Sequence, residues 1–142
     1  MKPRYGSPHL IGDVQSELPD LKIILGHAGF PYQWQEAITV ARRNPNVYFE
    51  ISQWYQLASR DYRRFLNVLK EVADEVGTDR ILFGSDHLTG PGLKDSKADL
   101  TAWVDCIRRL PQEDARFSAE DVVRILGRNA QRLLKIDGAQ YA

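Results

Sequence analysis

Arg80–Asp86 reads RILFGSD, and it closes a series of three stretches built alike: LKIILGH over Leu21–His27 and VYFEIS over Val47–Ser52 precede it. In each, a short apolar run gives way to polar side chains. The runs Leu21–Gly26, Val47–Ile51 and Arg80–Gly84 are nearly continuous in Ile, Val, Leu and Phe rather than alternating, the pattern of strands covered on both faces. They begin at residues 21, 47 and 80. A spacing of roughly 30 residues matches a strand–helix–strand unit, with parallel strands and right-handed crossovers.

The segments between and around the runs have helical periodicity. Trp34, Ile38 and Ala41 repeat at i, i+4, i+7, and Tyr62, Phe65, Leu66, Leu69, Val72, Ala73 and Val76 trace one face of a longer helix. Ser59 is the expected N-cap of that helix, and Gly77 its stop. Leu10, Ile11, Val14 and Leu18 predict a short helix closed by Pro19. Leu100, Trp103, Val104 and Ile107 predict another before Pro111. Val122, Ile125, Leu126, Leu133 and Leu134 predict a last one, opened by a capping box at Ser118–Asp121. His87–Asp95 (HLTGPGLKD) is a Gly/Pro-rich loop directly after a strand.

Two architectures repeat such units, the open doubly wound sheet and the (β/α)8 barrel, and both bind ligands at the C-terminal ends of the strands. The polar residues there are His27, Glu50 and Ser52, and Asp86 with His87. A histidine and an aspartate on neighbouring parallel strands can share a divalent metal, or act as a general base and its orienter. Glu50 interrupts an apolar run, either as a polar pocket residue or as the partner of a nearby cation. Trp54 and Tyr55 follow a strand and are read as substrate walls. In an extended chain His87 and Asp86 face opposite ways, so His87 is read as a loop residue within reach of substrate. His9, Trp34, Trp103, Arg128 and Asn129 are read as structural, and Cys106 as an inert thiol.

Composition narrows the function. The 142 residues form one domain, 1–142, on length alone. Hydrophobic residues are 43% and charged residues 27%, which supports a core and argues against disorder. Lys+Arg and Asp+Glu are 19 each, so no field of one sign draws nucleic acid or an acidic membrane. A single cysteine, no signal-peptide pattern and no membrane-spanning run lead to the expectation of a cytoplasmic protein. Neither G-x-G-x-x-G nor G-x-x-x-x-G-K-[ST] is present, which argues against a nucleotide-binding doubly wound domain.

Four motifs, PDLKIILGHAG (Pro19–Gly29), NPNVYFEIS (Asn44–Ser52), DRILFGSDH (Asp79–His87) and ILGRNAQRLL (Ile125–Leu134), together resemble the C-terminal part of an amidohydrolase-related metal-dependent hydrolase. The branch resembled includes aminocarboxymuconate-semialdehyde and resorcylate decarboxylases and lactone hydrolases. The resemblance implies a (β/α)8 barrel whose sixth, seventh and eighth strands are these three. It implies that His27 and Asp86 are metal ligands and catalytic groups, the aspartate accepting a proton from metal-bound water. The implied cofactor is a divalent metal, zinc first and manganese second, and the implied substrate a small organic molecule.

The family pattern also has a His-x-His pair on the first strand and a histidine on the fifth. This chain has only His9, His27 and His87 and no H-x-H. A full barrel takes about 250 residues. The expected fold is therefore a partial barrel, the last three βα units and a C-terminal helix, truncated on its N-terminal side. The metal set is expected to be incomplete in this chain alone. The functional expectation is hydrolysis by metal-activated water, or metal-assisted decarboxylation. The alternative is a non-catalytic half-barrel that associates with itself or with a complementing half.

Overall fold

The three runs form a single parallel sheet in the computed structural model, which describes residues 6–86 and 96–136. Strands β1 (Ile23–Leu25), β2 (Val47–Glu50) and β3 (Ile81–Leu82) lie in sequence order, with Leu25 beside Phe49 and Phe49 beside Ile81. The parallel order expected from the spacing is therefore present. The strands are shorter than their apolar runs. At Gly26 the chain enters a tight turn, Gly26–Gly29, and Arg80 still belongs to the 3-10 turn Thr78–Arg80. Among the described residues the sheet has two edges, so it is an open segment, compatible with part of a barrel.

Helices α1 (Leu10–Glu17), α2 (Trp34–Arg43), α3 (Tyr55–Ala58) and α4 (Tyr62–Val76) fill the gaps between and before the strands. Val47, Phe49 and Ile81 share one face of the sheet and are fully buried. They join Ala37, Ile38 and Ala41 of α2 and Phe65, Leu69 and Val72 of α4 in one apolar cluster. Burial of this kind contributes about 25 cal/mol per Å² of apolar surface. The opposite face carries Ile24, Tyr48, Glu50 and Leu82, and Ile24 is 45% exposed. Leu10, Val14, Leu18 and Leu21 are also exposed, on the β1 side of the chain.

The start of α4 departs from expectation. Asp61, not Ser59, caps it: its Oδ1 accepts the backbone N–H of Arg64 at 3.0 Å. Ser59 instead ends the short turn of α3, too early to reach the first free N–H groups of α4. Gly77 does stop α4, at φ 93°, where a Cβ would be strained.

After the loop His87–Asp95, which lies outside the described residues, α5 (Ser96–Arg108) and α6 (Leu110–Glu113) lead to α7 (Ala119–Val123). A π turn, Arg124–Arg128, joins α7 to α8 (Asn129–Leu134). The π turn widens the helix where it meets the sheet, and the Ile125 carbonyl accepts the N–H of Phe83 at 2.9 Å. Asn129, 1% exposed, donates from Nδ2 to the carbonyls of Thr78 and Ile81, both at 2.8 Å. Arg80 ties the helices from the other side, through Val76 O at the end of α4 and Ala41 O and Asn44 O at the end of α2. Cationic donors at helix C-termini satisfy orphan carbonyls and oppose the negative end of the dipole. The structural roles read for Asn129 and Trp103 fit: Trp103 is 2% exposed and its Nε1 donates to Gly84 O at 2.9 Å. No helix among the described residues is long and apolar enough to cross a membrane.

Two carboxylates link this frame to pH. Burial alone raises the carboxyl of Asp121, but the Thr78 hydroxyl and the Ser118 N–H and hydroxyl together hold it below its ordinary range. The Arg116 N–H, with Lys70, does the same for Asp114. Both groups bind protons more readily unfolded than folded. Their contribution is whole above the unfolded value of about pH 3.9 and fades as pH falls below it. Urea melts should show stability dropping from pH 4 towards pH 2. Asp121→Ala should lower stability at neutral pH by roughly 1 kcal/mol, the scale of a helix cap, and flatten the acid slope. An acid slope unchanged in the variant would contradict this account of the capping box.

Candidate active site

Parallel strands bring their C-terminal ends to one edge, and there the backbone is strained. Five described residues other than glycine have positive φ, and four sit just past the strands: His27 (61°) and Ala28 (44°) after β1, Gln53 (63°) after β2, and Asp86 (47°) after β3. Each such residue costs on the order of 1–3 kcal/mol and persists only where its surroundings over-determine it.

His27 is held at four points. Its N–H donates to Glu50 Oε2 at 3.1 Å. Its carbonyl accepts from Trp54 Nε1 and from the Phe30 N–H, both at 2.8 Å. Its ring nitrogen Nδ1 lies 2.7 Å from Ser52 Oγ. Glu50 is the centre of this arrangement. Its Oε1 accepts the N–H of Ser52 at 2.8 Å, and its Oε2 accepts the Ser52 hydroxyl at 2.6 Å as well as the His27 N–H. Gly84, two residues past β3, leaves the room this requires: a Cβ there would stand 1.5 Å from Glu50 Oε1.

Asp86, exposed at the end of β3, accepts from Gln53 Nε2 at 2.5 Å. The loop after the central strand thus holds both neighbours, Ser52 on one side and Gln53 on the other. The alternative in which Asp86 orients His27 is not what the structure places at Nδ1; that position belongs to Ser52. Ser52 and Gln53 received no role from the sequence. Glu50 and Ser52 are two residues apart, the spacing that puts side chains on one face of an extended chain, and that spacing was the available signal. Nothing local marked Gln53.

Three of the expected residues have surroundings that the sequence did not reveal. Among the described residues Glu50 has three uncharged donors as partners and no cation. Trp54 does not stand free in a loop: it is 1% exposed, packs 6.4 Å from the Phe30 ring and supports the His27 carbonyl. Tyr55 opens α3, packs 6.0 Å from the Trp103 ring and lines a cavity of about 550 Å³ with Tyr62, Asp105, Cys106 and Arg109, to which neither His27 nor Asp86 contributes. Burial pushes the Cys106 thiol up, as an inert cysteine requires. His87 lies outside the described residues. His9 is exposed and precedes α1.

An imidazole and a carboxylate suit a divalent cation by type, but a catalytic zinc normally takes three protein ligands. Among the described residues no group of three His, Cys, Asp or Glu side chains is placed to hold a metal ion. The nearest further acid, Glu50, has both oxygens engaged by the chain itself. His27 and Asp86 are donors of the right type, but the described residues do not make up a metal site.

His27, Glu50 and Asp86 thus stand at or just past the C-terminal ends of a parallel three-stranded sheet. The amidohydrolase family model matches residues 2–136, and the chain belongs to the amidohydrolase family. No curated protein matches the chain, and no solved structure does.

Gly84→Ala tests the packing of this site. The added methyl group must displace a carboxylate fixed by three hydrogen bonds, at a cost of about 1–3 kcal/mol in a urea melt. Gly127→Ala is the control: a Cβ there meets nothing within 4 Å, and replacing a helical glycine should gain up to about 1 kcal/mol. Equal effects of the two substitutions would show that Glu50 is not held over Gly84.

Proposed function

We propose that this chain carries the His27 and Asp86 part of a site that hydrolyses, or decarboxylates, a small organic substrate with a divalent metal, zinc or manganese. The observation that supports this reading is the concentration of backbone strain at the three strand ends of an amidohydrolase-family chain. Non-glycine residues in left-handed conformation are costly, and such cost persists where function needs the side chain in one place.

In this reading His27 and Asp86 hold the ion in part. The bound ion supplies polarisation of a substrate oxygen and a more acidic water. Asp86, exposed on its turn and steadied by Gln53, is the proton acceptor. His27, fixed by the Glu50 and Ser52 contacts, faces the reacting group. The remaining donors come from strands that complete the sheet beyond its edges. The exposed apolar side chains Leu10, Val14, Leu18, Leu21 and Ile24 favour such a covering. Substrate specificity on this reading resides in the loops after the strands, His87 included.

The assay is turnover of small lactones, amides and aromatic carboxylates with added zinc or manganese. Asp86→Asn should abolish activity, since the amide neither balances a cation nor accepts the proton. His27→Asn should lower it at least a hundredfold while keeping the left-handed backbone, which asparagine tolerates. His9→Ala should leave it unchanged. Turnover that is undiminished in Asp86→Asn, or independent of added or bound metal, would refute the reading.

A further inference from the structure

We infer that Glu50 and Ser52 are positioning residues that fix the tautomer of His27, placing its ring proton on Nδ1 and leaving the Nε2 lone pair for a ligand. The argument follows donors and acceptors along one chain of hydrogen bonds. Glu50 accepts two backbone N–H groups, one on each oxygen, which favours the ionised carboxylate, and a carboxylate has no proton to donate. Ser52 Oγ lies 2.6 Å from Oε2 of that carboxylate. A hydroxyl has one proton, and an acceptor-only neighbour at that distance claims it. Ser52 Oγ can then offer only a lone pair to His27 Nδ1 at 2.7 Å. Nδ1 must be the donor, and in a neutral imidazole Nε2 is then the bare nitrogen.

The environment keeps this direction. Ser52 is 3% exposed, so the relay is shielded from competition by water. The strained His27 backbone is clamped by the same carboxylate that orients the hydroxyl, so ring and main chain are set together. Group-holding histidines commonly donate their second ring N–H to a carboxylate or carbonyl, which fixes tautomer and orientation. Here a serine stands between the imidazole and the carboxylate. A metal ion, or a proton to be abstracted, would meet Nε2.

The functional consequence rests on reading His27 as a site residue; the tautomer rests on the hydrogen bonds alone, and the experiment separates them. Long-range proton–nitrogen correlation spectra of the ¹⁵N-labelled chain, without metal and at a pH where the ring is neutral, report which nitrogen carries the proton. His27→Asn identifies the His27 signals among the three histidines. The expected spectrum has Nδ1 protonated and Nε2 bare. Ser52→Ala should bring in the Nε2-protonated form, and Ser52→Thr, which restores the hydroxyl, should return the single form. A wild-type ring protonated on Nε2, or a Ser52→Ala spectrum identical to wild type, would overturn the inference. If neither variant folds, the wild-type spectrum decides alone. A chain with this tautomer whose turnover, where present, is undiminished in Asp86→Asn would count against the proposed function and leave the positioning intact.

Discussion

The carboxylate of Glu50 is the constraint on which the strand-end geometry depends. It sits at the end of the central strand, beside Gly84 just past β3, and accepts from the turn after β1 and from the loop after β2. A partly buried anion without donors is costly, and three donors from two loops answer that cost while fixing both loops. His27 stays in a left-handed conformation that its side chain would otherwise disfavour because its N–H, carbonyl and ring each have an assigned partner. If Gly84 bore a side chain, the carboxylate would have no place to lie. The site is thus assembled across all three strands by one side chain, rather than by separate groups that happen to be near.

The rest of the fold holds the two outer strands in step with the central one. β3 is only two residues long, too short to position Gly84–Asp86 by sheet pairing alone. It is secured from outside by Asn129 and by the Ile125 carbonyl exposed at the π turn, and Trp103 takes the Gly84 carbonyl. Arg80 joins the ends of α2 and α4 at the opposite end of β3. Together these place the glycine under Glu50. On the other side, among the described residues, β1 presents an open edge and Ile24 to solvent.

Much of this was legible in the sequence. Apolar runs roughly 30 residues apart gave parallel strands in order, but the expected cover on both faces is not seen at β1, whose Ile24 is exposed among the described residues. The Ser118 capping box and the Gly77 stop followed from local chemistry that acts over one helical turn. His27 and Asp86 stood out because polar residues closed apolar runs. What stayed hidden depends on contacts distant in sequence. The partners of Glu50 lie 23 residues away at His27 and across the sheet at Gly84. Trp54 looked like a loop residue, but its indole reaches back 27 residues to the His27 carbonyl and is buried in doing so. Gln53 acquires its role only from where β3 ends. The cap of α4 moved from Ser59 to Asp61 because the intervening residues close a separate short turn, which periodicity alone does not reveal.

Amide hydrogen exchange at His27 and Ser52 tests the central claim most directly. Both N–H groups lie in loops just past strand ends, where exchange is ordinarily fast, and both donate to Glu50. In the wild-type chain they should exchange slowly, close to the amides of the β2 core. In Glu50→Ala the two should lose protection together while the amides of α4 keep theirs. Fast exchange of His27 and Ser52 in the wild type, or protection that survives removal of the carboxylate, would contradict the account.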